Sequence, residues 1–358
     1  MNIDEAFGQG RDNNFDIIRL LAATLVIVSH SYPIAGATEP FTKFITYGNA
    51  GSLSVSIFFA ISGFLVTRSV ERNDITYYIV ARILRIFPGL LVALILTSFI
   101  IGPLFTVLPL REYFDNWLLG AHLRTFFLFT FNTALPGVFE NNPFPTWVNG
   151  SLWSLPYEFL LYLMLPLVFV FGGLKLSSNW LLAVLALVGY YLAKSGALGL
   201  TYSSQGSPIF GAIYPYLIME YGAFFILGSS CWVYRRLIPL SAGLFFCLFA
   251  LSWAGARHPG GYIFYCILVS YGTIWAALRL PAIDISKMGD ISYGVYIYAF
   301  PIQQSIVYLK GGIVSPTFIT LVTIPVVYIM AYYSYWYIER PALNLKSALT
   351  HLISRAEK

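Results

Sequence analysis

The chain of 358 residues is 58% hydrophobic and 10% charged, with a mean hydropathy of +0.72 and a formal charge of +5. A soluble domain carries roughly 25% charged residues, so this composition excludes a chain that wraps itself in a polar surface. It predicts an all-α integral membrane protein, and the modest positive charge reflects topology and needs no nucleic acid to explain it.

Hydropathy over windows of about 19 residues predicts a bundle of about ten transmembrane helices. They centre in 15–36, 47–68, 83–108, 150–172, 179–194, 211–234, 239–255, 261–279, 290–310 and 314–338. In the first, Phe15–Ile34, Arg19 and His30 stand eleven residues apart. Eleven steps of about 100° make roughly 1100°, within about 20° of whole turns, so the two share one helix face about 16 Å apart. A charge in hydrocarbon costs on the order of 3 kcal/mol or more, so such residues usually mark a site in a bundle interior. The plainer reading has Arg19 snorkelling to the surface. Asp16 is expected to pair with Arg19. Ala35-Gly36-Ala37 mimics a cleavage site, but the acidic residues Asp4, Glu5, Asp12 and Asp16 and the histidine in the apolar run argue for a retained helix.

In the second span, GSLSVSIFFAISGFL, small residues at Gly51, Ser54, Ser62 and Gly63 suit close helix packing. Ser62 and Gly63 would also leave room for a thin ligand threading between helices. The third span opens on ARILRIFP, with Arg82 and Arg85 on one face at its predicted cytoplasmic mouth and Arg68 and Arg72 extending the basic patch. Positive-inside topology alone produces such a pair, yet two guanidinium forks also make a phosphate clamp. Residues 109–149, rich in Asn, Pro and aromatics, read as a re-entrant or surface cap.

The fourth span begins in NGSLWSLPYEFLLYL, where Trp153 and Tyr157 read as interface aromatics. Glu158 there could complement the helix dipole, polarise a histidine or bind a sugar hydroxyl. Glu220 in the sixth span and the aromatics Trp147 and Trp153 are candidates for acceptor choice. Cys231, Cys247 and Cys266 lie in apolar runs without metal-type spacing, and His30, His122, His258 and His351 are too scattered to argue for a metal. With both termini cytoplasmic, 15 of the 21 basic residues, from Arg11 to Lys358, fall inside; Lys43, Arg111, Arg124, Lys194, Arg257 and Lys310 fall opposite.

Taken in order, Arg19 with His30, IFFAISGFL, Arg82 with Arg85, SLWSLPYE, GDISYGVYIYAFP at 289–301 and YIERP at 337–341 resemble the acyltransferase 3 family of integral-membrane acyltransferases. The chain departs from that pattern at Ala299, where many relatives carry a histidine. It leaves no room for the SGNH hydrolase-like domain that some relatives append. The resemblance implies one transmembrane acyltransferase domain over 1–345, a short cytoplasmic tail over 346–358, and a multi-pass place in the cell inner membrane. It implies transfer of an acyl group, most often acetyl from acetyl-CoA, to a hydroxyl of a cell-envelope or exported saccharide or glycolipid. Arg19, Arg82 and Arg85 would hold the nucleotide phosphates, with the arm passing Ser62 and Gly63 to reach His30 as general base, oriented by Glu158. Trp153, Tyr157 and Glu220 would contact the acceptor. A covalent acyl-histidine is the alternative chemistry. The rival class is a transporter or flippase using Arg19, His30 and Glu158 as a proton or substrate pathway, although no inverted repeat is visible. Neither enzymatic scheme needs a metal, and the oligomeric state stays open.

Overall fold

The computed structural model describes residues 1–8, 13–43, 45, 47–196, 213–258 and 260–356. Arg11, Lys358 and the start of the predicted sixth span at 211–212 lie outside these, as do the side chains of Lys43, Arg257, His351 and Arg355. Among the described residues the regular structure is helical, without a β-strand. The helices are α1 (Ile3–Gly8), α2 (Phe15–Ile34), α3 (Ala50–Arg72), α4 (Ile75–Leu96), α5 (Gly102–Phe105), α6 (Leu110–Asp115), α7 (Trp117–Leu123) and α8 (Leu155–Val170). They continue as α9 (Asn179–Ser195), α10 (Pro215–Val233), α11 (Ala242–Ala254), α12 (Gly261–Arg279), α13 (Ser292–Leu309), α14 (Pro316–Ser334), α15 (Arg340–Asn344) and α16 (Lys346–Ala356).

Each of the ten predicted segments carries a helix, and seven stretches are long and apolar enough to cross a membrane. These are Phe15–Ile34, Ala50–Arg72, Ile75–Phe105, Gly150–Val170, Pro215–Val233, Gly261–Arg279 and Pro316–Thr350. Helices α9 and α11 are apolar but shorter, at 17 and 13 residues. Helix α13 is long enough but more polar, because it is buried inside the bundle and need not face hydrocarbon: Gln303 and Gln304 are fully enclosed. The third span begins at Ile75, so Arg82 and Arg85 lie about two turns inside the helix and not at its mouth.

Local chemistry sets the ends. Asn49 caps α3 by accepting the Ser52 amide while Ser52 returns a bond to the Asn49 amide. Ser241 and Ser315 cap α11 and α14, and Pro215 and Pro316 occupy first-turn positions that donate no amide. Helix α3 runs through the centre against α2, α10 and α12. Its contact with α10 is backbone to backbone: a Cβ on Gly63 would collide with the Phe225 carbonyl, and one on Gly228 with the Ala60 carbonyl. Gly63 therefore serves the close packing of α3 on α10.

One end of the bundle gathers basic residues. Arg235 meets Asp4 at 3.0 Å, Arg68 and Arg72 lie over aromatic rings, and the Tyr234 hydroxyl donates to the Leu176 carbonyl. The other end is covered by the predicted cap, tied to α13 where Asn142 donates to Gln304 Oε1 and Gln304 donates to the Phe144 and Trp147 carbonyls. Within the cap, burial raises the Tyr113 phenol to about 12 while its hydroxyl donates to the Ser98 carbonyl. Residues from 346, read in the sequence as a tail, form α16 and lie against α4.

Candidate functional site

Helices α2, α3, α4, α8 and α13 enclose a cavity of about 320 Å3 whose walls carry Arg19, Arg82, Arg85 and Lys346 against Glu158 and Asp290. Asp290, just before α13, is the hub. It accepts from Arg85 at 2.6 Å, from Arg19 at 3.2 Å and from the Ser292 hydroxyl at 2.6 Å. Arg85 also faces Glu339 at 3.8 Å, and Glu339 accepts from Ser334 at 3.0 Å. Arg19 and Arg85 are thus already neutralised, since a guanidinium taken out of water needs a carboxylate partner. Arg82 differs. Among the described residues it has no ion pair, lies over the rings of Tyr78 and Tyr162, and leaves its Nε unpartnered.

Glu158 sits in this same cavity. Ser62 donates to its Oε1 at 3.0 Å, Tyr162 donates to the same oxygen, and the Tyr78 hydroxyl holds the Tyr162 carbonyl at 2.9 Å. In the first turn of α8, the carboxylate lies on the cavity wall with the arginines.

A second cavity, about 640 Å3, carries His30, Glu39, Trp153, Tyr157, Lys194 and Glu220 on its walls. The His30 ring stands edge-on to Phe300 with centroids 5.3 Å apart, and among the described residues its buried Nδ1 has no hydrogen-bond partner. Glu39 accepts from the Ser29 hydroxyl at 2.7 Å and from the Ala50 amide at 2.8 Å, which joins α2 to the first turn of α3. Lys194 and Glu220 form an ion pair. Trp153 packs on Tyr221 at 5.3 Å, and the Tyr157 hydroxyl accepts from the Tyr214 amide at 3.0 Å. The two cavities share a wall made by Val55 and Tyr296.

The model of the acyltransferase 3 family, described as an acyltransferase domain, matches residues 12–336. The chain belongs to this family. An O-acetyl transferase of Shigella phage Sf6 is 31% identical over 302 residues, covering 83% of this chain and 86% of the relative. Nodulation protein 10 of Rhizobium leguminosarum bv. viciae is 28% identical over 95% of each chain. The exopolysaccharide production protein ExoZ of Rhizobium meliloti is 28% identical over 73% of this chain and 78% of its own. No solved structure is significantly similar.

This acyltransferase thus brings Arg19, Arg82, Arg85, Ser62 and Glu158 to one cavity and His30, Trp153, Tyr157 and Glu220 to the other. It does not bring Glu158 to His30: the carboxylate is held by Ser62 and Tyr162, and among the described residues the imidazole has no carboxylate partner. Asp16 does meet Arg19 at 3.4 Å, but Asp290 is closer. The residue-level reading missed Asp290, Glu39, Lys194, Tyr296 and Lys346. Asp290 and Tyr296 stood inside GDISYGVYIYAFP, where an acid at the head of an apolar run was a usable signal. Glu39 lies in a loop with no pattern around it, and in the sequence Lys194 and Lys346 read only as charges that set topology.

Proposed function

We propose that this protein is an O-acyltransferase that moves an acetyl or other short acyl group from acyl-CoA, held in the first cavity, to a hydroxyl of a saccharide held in the second. The observation that carries this reading is the pairing of a cationic cavity and an aromatic, imidazole-bearing one across a shared wall. Arg82, without an ion pair, and Lys346 are the groups that would meet the nucleotide phosphates, since Arg19 and Arg85 are engaged by Asp290. His30 takes the acceptor's proton as the hydroxyl oxygen attacks the thioester carbonyl carbon; the C–S bond breaks and the thiolate recovers that proton. Such proton transfer contributes typically about 10²- to 10⁴-fold. Glu158, Ser62 and Tyr162 shape the path of the donor's arm.

The name of the phage relative supports transfer of an acetyl group to oxygen, and that of the exopolysaccharide relative supports a saccharide acceptor on an exported polymer. The charge bias supports both termini and the donor cavity on the cytoplasmic side of the inner membrane. The deciding experiment measures acetyl-CoA binding to purified protein in detergent, then CoA release with chemically O-deacetylated envelope polysaccharide. Binding that is lost in Arg82→Ala, with polysaccharide-dependent CoA release by the wild type, supports the reading. A folded protein that neither binds nor consumes acetyl-CoA refutes it in favour of transport.

A further inference from the structure

The two cavities have only two lining residues in common among those described, and one of them, Val55, is apolar. The other is Tyr296 on α13. Its side chain is buried, its ring stands edge-on to Phe58 of the donor cavity at 5.8 Å, and its hydroxyl lies 2.7 Å from Ser154 Oγ, also on the donor cavity. Phe300, four residues later and so about one turn along the same face, is the ring packed against His30. Tyr296 therefore stands where a thioester arriving through one cavity and a hydroxyl arriving through the other would meet, on the helix face that also supports the base.

Attack on the thioester places negative charge on the carbonyl oxygen, and in a water-poor site that charge requires a preorganised donor. His30 is occupied in taking the acceptor proton, and Arg19 and Arg85 are turned to Asp290. We propose that Tyr296 is that donor: either hydroxyl of the 2.7 Å pair can donate, and when Ser154 donates to the phenol oxygen the phenolic proton is free to bond the carbonyl oxygen as the tetrahedral intermediate forms. The phenol keeps its proton throughout. The acceptor oxygen bonds to the carbonyl carbon, the proton passes to His30, the C=O re-forms as the C–S bond breaks, and the thiolate takes the proton from His30.

This assignment rests on the acyl-transfer reading above, and the test separates the two. Purified wild type and Tyr296→Phe are assayed for acetyl-CoA affinity by calorimetry and for kcat with acetyl-CoA and O-deacetylated envelope polysaccharide. Loss of one oxyanion donor lowers kcat about 10²- to 10³-fold; acetyl-CoA affinity should stay within about threefold. A variant that turns over within threefold of wild type overturns the assignment alone, since phenylalanine preserves the wall. Should Tyr296→Phe not fold, fluorotyrosines incorporated at position 296 replace it: a kcat that tracks phenol acidity supports the assignment, and a flat response overturns it. Absence of wild-type turnover removes the underlying reading and this inference with it.

Discussion

Asp290 holds two guanidiniums from different helices at 3.2 and 2.6 Å, and its worth is testable without substrate. Asp290→Asn leaves Arg19 and Arg85 facing each other with one partner charge gone. These side chains are partly buried, at 17–20% exposure, so the cost should lie below the roughly 3–5 kcal/mol of a fully buried pair; thermal unfolding in detergent should still shift down by several degrees, whereas exposed Arg111→Ala, paired with Asp115 on the surface, should leave it unmoved. His30 calls for the opposite signature. Its Nδ1 has no hydrogen-bond partner among the described residues and its ring contact is with Phe300, so His30→Ala should cost little stability and bind acetyl-CoA with unchanged affinity, yet lose kcat by about 10²- to 10⁴-fold. Near-normal turnover in that variant would remove His30 from the chemistry.

Between elements, the contact of α3 with α10 leaves no space for a side chain at Gly63 or Gly228. Gly63→Ala forces the two backbones apart, and overpacking of this kind costs typically about 1–3 kcal/mol. Reduced thermal stability is the expected reading, and a wild-type unfolding curve would show that the helices can part freely. The cap carries its own pH dependence. His122 is held by Thr97 at 3.0 Å and the Asn132 carbonyl at 2.9 Å, and burial pushes its imidazole from an ordinary 6.5 down to about 4, although the bond to Asn132 pulls the other way. The folded cap therefore refuses a proton that the unfolded chain accepts. Its stabilising contribution is complete above about 6.5 and is lost as the pH falls from there to about 4, a span worth on the order of 3 kcal/mol. Proteolysis of the 109–149 segment should accelerate across that window, and His122→Asn should flatten the response.

For the molecule as a whole, the apolar runs were legible because hydrocarbon tolerates little else, and every predicted segment carries a helix. The cavity linings were legible in part: Arg19, His30, Arg82 and Arg85 were visible as ionisable residues in or beside apolar runs, although snorkelling and positive-inside topology explain the arginines as well, and the fold sets them on the walls of the two cavities. What sequence spacing could not provide was which face α8 turns inward, and so Glu158 was paired with the wrong partner: it lies with Ser62, 96 positions away, and Tyr162. Asp290 reaches Arg19 across 271 positions, a distance at which no periodicity operates. A molecule with two separate binding cavities should bind its substrates independently. Acetyl-CoA at about 100 times its Kd should add roughly 2.7 kcal/mol to stability whether or not a saccharide is present; dependence on the saccharide would mean that the cavities form only together.

The wall of Val55 and Tyr296 also bears on cellular economy. On the proposed reading, with donor and acceptor in separate chambers, the nucleotide and the sugar would each keep to their own compartment, while the acyl unit passes one way and the acceptor's proton the other. The acceptor side would then receive the acyl unit without a carrier for the coenzyme, the thioester's own free energy driving the transfer. A breach in that wall would admit water to the thioester, and the enzyme would become a slow acetyl-CoA hydrolase.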